Sequence, residues 1–158
     1  MQGCLVRLGI ALMLVLALPA SAAAYPLEGS TTESSVMHGG TLQLHVRSER
    51  PTYNVSIWRQ SRTLEFVQQI GETIGQLPPI PDRAWEGCDW PVTNSIRVDP
   101  SWKPGAYVAR LDATNVFIWI PFVVRARAPG RYGSILVQLS INTWQAYNRY
   151  GGKNLYGA

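Results

Sequence analysis

Apolar and polar residues alternate through several short stretches of the chain. In "TLQLHV", Leu42, Leu44 and Val46 share one face and Thr41, Gln43 and His45 the other, the two-residue period of a half-buried strand. "YNVSIW" repeats the pattern with Tyr53, Val55 and Ile57. The Ser-Glu-Arg-Pro between them predicts a hairpin connection, because Pro51 has no N–H for a ladder and fixes its own φ. "TLEFVQQIG" and "SIRV" predict two further strands. "AYVARL" follows a turn at Lys103-Pro104-Gly105 and sets Tyr107, Ala109 and Leu111 on one face. In "VFIWIPFVV", Val116, Ile118, Ile120, Phe122 and Val124 face one way. Phe117, Trp119 and Val123 make the other face apolar as well, and Pro121 marks an edge or a bulge.

Short strands at this spacing, punctuated by turns and without an amphipathic helix, predict a mainly β fold. We read residues 36–126 as one immunoglobulin-like antiparallel β-sandwich. No Cys–Trp–Cys framework is present, which excludes an antibody-type domain. Residues 75–94 interrupt the strands with Pro78, Pro79, Pro81 and Pro91, a long loop of the kind that carries function or wraps an edge. Trp85 and Trp90 are expected to anchor that loop to the core. Residues 25–35, rich in Ser, Thr and Glu, read as a flexible lead-in, and residues 127–133 as a linker.

The pattern changes after the linker. "ILVQL" is a continuous apolar run, which suits a strand covered on both faces, as in a parallel sheet. Residues 134–158 therefore read as the opening strand and first loop of an α/β domain, and the chain reads as truncated there. Loops at the C-terminal ends of such strands are where α/β sheets keep their ligand sites.

Composition alters this picture at the N-terminus. Arg7, the apolar "LGIALMLVLAL" and the small residues "PASAAA" have the layout of a secretory signal peptide over residues 1–24. The apolar run is too short for a good spanning helix, so no stable membrane span is expected after cleavage and the protein is expected outside the cell. Removal of Cys4 leaves Cys88 as the single cysteine, which excludes an intrachain disulfide and a Cys-based metal site. The chain of 158 residues has a formal charge of +4, but its arginines are scattered rather than gathered in a stripe, so nucleic acid is not an expected partner. His38 and His45 form no metal pair and no Ser–His–Asp arrangement.

The densest chemistry lies in "NTWQAYNRYGGKNLYG". Asn142, Gln145 and Asn148 offer amide donors and acceptors, and Tyr147, Tyr150 and Tyr156 offer phenols. Gly151 and Gly152 permit close backbone approach. Phenols can ligate a hard ferric ion, donate to an oxyanion, or pack with the hydroxyl satisfied. Asn142, Thr143, Trp144, Gln145, Asn148, Gly151 and Gly152 are the candidate ligand-loop residues.

The same block, TWQAYN followed by GG and then Asn-Leu-Tyr, resembles the signature of the N,N-dimethylformamidase large (beta) subunit-like family. "YNVSIWR", "DWPVTNSIRVDPSWKPGAYVARL" and "IPFVVR" resemble its upstream segments, so the likeness covers residues 36–158. The resemblance implies a sandwich ahead of an α/β domain similar to class I glutamine amidotransferases. It further implies hydrolysis of a non-peptide amide at a ferric iron held by two tyrosines and a glutamate. Such a metal polarises the amide carbonyl and acidifies bound water. By motif position Tyr147 corresponds to one tyrosine ligand. The second tyrosine and the glutamate lie farther downstream in the family, so this chain alone is expected to bind iron poorly and to be inactive.

Two other readings stay open. One is a secreted module that presents Trp85, Trp90, Trp102 and the tail aromatics to a glycan or a protein. The other is an interaction subunit whose strand at 134–139 pairs with a partner chain or with itself by β-addition.

Overall fold

A computed structural model describes residues 24–128, 130 and 138–157. The expected signal peptide and most of the apolar run at 134–139 lie outside the described residues. Gln138 and Leu139 belong to no element.

Among the described residues, eight strands form two sheets: β1 (Leu27–Thr31), β2 (Ser35–Met37), β3 (Thr41–Ser48), β4 (Thr52–Gln60), β5 (Leu64–Ile74), β6 (Val92–Arg97), β7 (Gly105–Ala113) and β8 (Val116–Arg125). The smaller sheet has the order β1-β3-β6 and the larger β2-β8-β7-β4-β5. The fold is mainly β, and two sheets around one core are consistent with a β-sandwich. The alternation places the core as expected. Leu42, Leu44 and Val46 meet Tyr53, Val55, Ile57, Tyr107, Ala109 and Leu111 across the gap between the sheets. Ile120, Phe122 and Val124 close the cluster from β8. Asn115, with φ of 61°, makes the two-residue turn between β7 and β8, a conformation asparagine tolerates well.

Three expectations fail. Residues 27–31, read as part of a lead-in, form β1 and pair antiparallel with β3 from Leu27↔Ser48 to Thr31↔Leu44. Their polar composition hides the strand, because only Leu27 of this segment joins the apolar core. Ser-Glu-Arg-Pro is not a hairpin turn. β3 and β4 belong to different sheets, and the segment is a corner between them, held by Ser48 N–H to the Gln76 carbonyl (2.7 Å) and Gly75 N–H to the Pro51 carbonyl (2.7 Å). Third, the signature block is not wholly loop: Ile141–Tyr147 form a helix, α1, and Tyr150–Gly152 a 3-10 turn.

Both edges of the larger sheet are irregular. β2 pairs with β8 in parallel only at Val123–Arg125, so Pro121 sits where β8 has an open side and its missing N–H costs no ladder bond. β5 forms the far edge, and its register against β4 shifts twice, between Val55 and Ser56 and between Ile57 and Trp58.

Candidate functional site

Because Leu42, Leu44 and Val46 turn into the core, His45 and Arg47 on the same strand turn to the outer face of the smaller sheet. Register puts Glu28 of β1 opposite Arg47. Both are buried, Glu28 completely, because the proline-rich loop and the Tyr150–Gly152 turn lie over this face. Glu28 Oε1 accepts the Gly151 N–H at 3.1 Å and the Tyr25 N–H at 3.4 Å. Oε2 faces Arg47 Nη1 at 3.7 Å and has no hydrogen bond. Burial pushes the Glu28 carboxyl above its usual range, and the Gly151 and Tyr25 amides and the Arg47 charge only partly offset that.

The loop is fastened at both ends of the site. Trp90 is buried, and its indole N–H donates to the Pro79 carbonyl at 3.2 Å. The His45 ring bridges the Trp90 carbonyl (Nδ1, 2.6 Å) and the Thr32 hydroxyl (Nε2, 2.6 Å). A carbonyl can only accept, so Nδ1 carries the proton and Nε2 is occupied by Thr32. His45 is therefore a strap between β1, β3 and the loop.

Between these parts lies a cleft of about 680 Å³. Its floor is Ser30–Thr32 and His45, one wall is the stretch from Ala84 to Trp90, and the other is Gln145, Asn148, Tyr150 and Leu155. Among the described residues the lining contains no lysine or arginine, although Lys153 reaches over the Trp85 ring at 5.2 Å. Tyr150 packs 6.4 Å from Trp90. Burial, reinforced by the Glu28 charge, pushes that phenol up to about 12. Burial and the nearby Glu28 and Asp89 charges likewise push the Cys88 thiol up, which leaves it protonated and a poor nucleophile.

The candidate residues of the signature divide over this geometry. Gln145 and Asn148 line the main cleft and also a smaller one of about 350 Å³, which α1 shares with Ile120 and Pro121. Trp144 and Tyr147 line only the smaller cleft. Asn142 and Thr143 are exposed and line neither. Gly151 is packed under the loop. With φ of 76°, a Cβ there would stand 2.6 Å from Ala84 Cβ and 2.9 Å from Ile80 Cγ2. Gly152 also has positive φ, 86°. Glu28 and His45 are the participants that sequence reading missed, and neither carried a signal; Tyr150 was visible there as one of the signature's phenols.

Residues 52–158, more than half of the chain, match the family model described as N,N-dimethylformamidase beta subunit-like, C-terminal. The chain belongs to that family. No curated protein and no solved structure matches it. The dimethylformamidase-like match begins at β4, so β1 and β3, which supply Glu28, His45 and Arg47, lie ahead of it.

The iron that the dimethylformamidase-like resemblance implies can be tested against the donors in place. Tyr147 and Tyr156 pack as a tilted pair with centroids 4.9 Å apart, both well exposed. Among the described residues, the cleft beside Tyr147 is lined by neutral groups. Among the described residues no cluster of three or more His, Cys, Asp or Glu side chains is placed to hold a metal. A hard ferric ion calls for anionic oxygen donors converging on one point. Two phenols without a carboxylate do not fit it.

Proposed function

We propose that this is an exported dimethylformamidase-like protein whose signature segment, docked on an immunoglobulin-like sandwich, forms one wall of a cleft for a small non-peptide amide. The carrying observation is that Gln145 and Asn148 of the family signature face His45, Thr31 and the loop tryptophans across one cleft. Side-chain amides both donate and accept, so they suit a neutral ligand with a carbonyl acceptor and apolar nitrogen substituents. The cleft binds and orients; it does not supply the rest of an amidase. Hydrolysis needs a base or nucleophile for attack and a donor for the oxyanion. His45 has both nitrogens engaged, and Cys88 and Tyr150 hold their protons tightly. The described residues therefore supply binding without hydrolysis, and the protein is expected to be inactive by itself.

Titration with N,N-dimethylformamide tests the binding half. Indole signals of Trp85 and Trp90 should shift, and the joint change Gln145→Ala, Asn148→Ala should abolish the shift. Unchanged signals at saturating amide would end that reading. Amine release from formamides, together with a tyrosinate-to-iron absorption band on adding ferric iron, would overturn the inactivity.

A second reading has its own observation. On the outer face of the larger sheet Phe117 and Trp119 are exposed, and Arg110 stands 5.1 and 5.2 Å from their ring centroids. Trp58 and Phe66 form another aromatic pair on that sheet. This face, rather than Trp90 or Trp102, which are buried, is where a glycan- or protein-binding module would make contact. Glycan-array binding lost in Trp119→Ala would favour it, and silence of the intact protein would count against it.

A further inference from the structure

We infer that Glu28, on a strand ahead of the family-matched residues, is the positioning residue that latches the signature segment onto the two-sheet body.

The signature segment has little else to hold it. α1 has seven residues and buries none of them, and a helix so short is marginal by itself. The apolar core contains no residue from 141–157. The segment is tied within itself by Trp144 N–H to the Ser140 carbonyl (3.0 Å) and Leu155 N–H to the Ala146 carbonyl (3.3 Å). Its attachment to the body is concentrated at the Tyr150–Gly152 turn. There the half-buried Tyr150 ring packs near Trp90, and the Gly151 N–H meets the Glu28 carboxyl group across a separation of 123 residues.

Two features make this contact specific. Glu28 is a wholly buried carboxyl group, so an N–H aimed at its oxygen makes a hydrogen bond shielded from competing water. Gly151 has a positive φ and no room for a Cβ, so glycine is the residue that lets the amide come within 3.1 Å. The first glycine of the signature's Gly-Gly pair thereby acquires a docking role. With the latch closed, Gln145 and Asn148 stand over the cleft, and the Tyr150 carbonyl covers the Cys88 thiol at 3.8 Å.

Cys88 is thus a built-in reporter of the latch. It rests on no ligand, so a failed latch and a failed amide-binding proposal give different results. The rate of Cys88 alkylation in the full protein, followed by mass spectrometry of its own peptide, is measured for wild type, Glu28→Ala, Glu28→Gln and Gly151→Ala. Glu28→Ala and Gly151→Ala are expected to react about tenfold faster, the factor for losing one hydrogen bond inside the protein. Hydrogen exchange over 141–157 should rise with them while the core strands stay protected. Glu28→Gln keeps an oxygen acceptor and should remain within about threefold of wild type by the hydrogen bond it retains. Should Glu28→Ala fail to fold, Gly151→Ala decides, since it touches no residue of the core between the sheets. Cys88 as slow in Gly151→Ala as in wild type would overturn the inference. So would hydrogen exchange over 141–157 as fast in Glu28→Gln as in Glu28→Ala, because the acceptor would then be irrelevant.

Discussion

Replacing Tyr107 by alanine empties the space between two other rings. Tyr107 is 1% exposed, stacks on Trp102 at 5.5 Å with the planes 14° apart, and meets Phe122 at 5.5 Å on its other side. Its hydroxyl donates to the Lys103 carbonyl at 2.6 Å. Removing a buried aromatic side chain costs about 3–5 kcal/mol once the cavity is included. Two aromatic contacts at about 0.5–1.5 kcal/mol each place this site toward the upper part of that range. Tyr107→Phe keeps both contacts and loses only the hydroxyl bond, about 1 kcal/mol. Equilibrium urea unfolding, followed by tryptophan fluorescence and far-UV circular dichroism, separates the two. With a slope of about 1–3 kcal/mol per molar urea, the alanine midpoint should fall by roughly 1–5 M and the phenylalanine midpoint by less than about 1 M, the two compared at one measured slope. An alanine variant within about 1 kcal/mol of wild type, or a phenylalanine variant as unstable as the alanine one, would refute the assignment of Tyr107 to the centre of the core.

Three further outcomes are expected. Gly75→Ala should destabilise by about 1–3 kcal/mol or more, since its Cβ would stand 1.9 Å from the Arg50 carbonyl oxygen at the corner between the sheets; thermal melts check it. Spectrophotometric titration at 295 nm should show a phenol near 12 that is absent in Tyr150→Phe. The unfolded chain ionises that phenol first, so wild-type stability holds below pH 10 and falls as pH rises toward 12. For Glu28 the raised carboxyl means the folded state binds the proton more tightly. Its contribution is present below about pH 4.5 and is lost as pH rises through the folded value, so the melting temperature of Glu28→Gln relative to wild type should climb over that window.

The strands that were legible are those whose alternation is driven by the core. β3, β4, β7 and β8 each send every second residue, such as Leu44, Val55, Leu111 and Phe122, into the same cluster. β1 escaped because Glu28 and Gly29 are buried for reasons that hydropathy does not encode: an ion pair, and close approach to Ile120. The corner at Pro51 resembled a hairpin turn because local sequence specifies a change of direction but not which sheet receives the next strand. In the site, Gln145 and Asn148 were visible as part of a recognisable block. Their partners were not, since Glu28 and His45 reach it through contacts between segments far apart in the chain, which leave no periodic trace.

The double shift along β5 has a consequence for life in a crowded solution. A straight border of unpaired amides and carbonyls is a template on which a second molecule can extend the sheet. Here the register slips twice within one strand, Gly71 adopts a φ of 112°, and Glu65 and Glu72 add charge along the rim. Extra residues of this kind twist and bend the strand that carries them. A neighbour would have to copy each irregularity to bond along the length. The border is therefore self-limiting, and the exposed Leu64 and Phe66 are carried on a strand that discourages fibre growth.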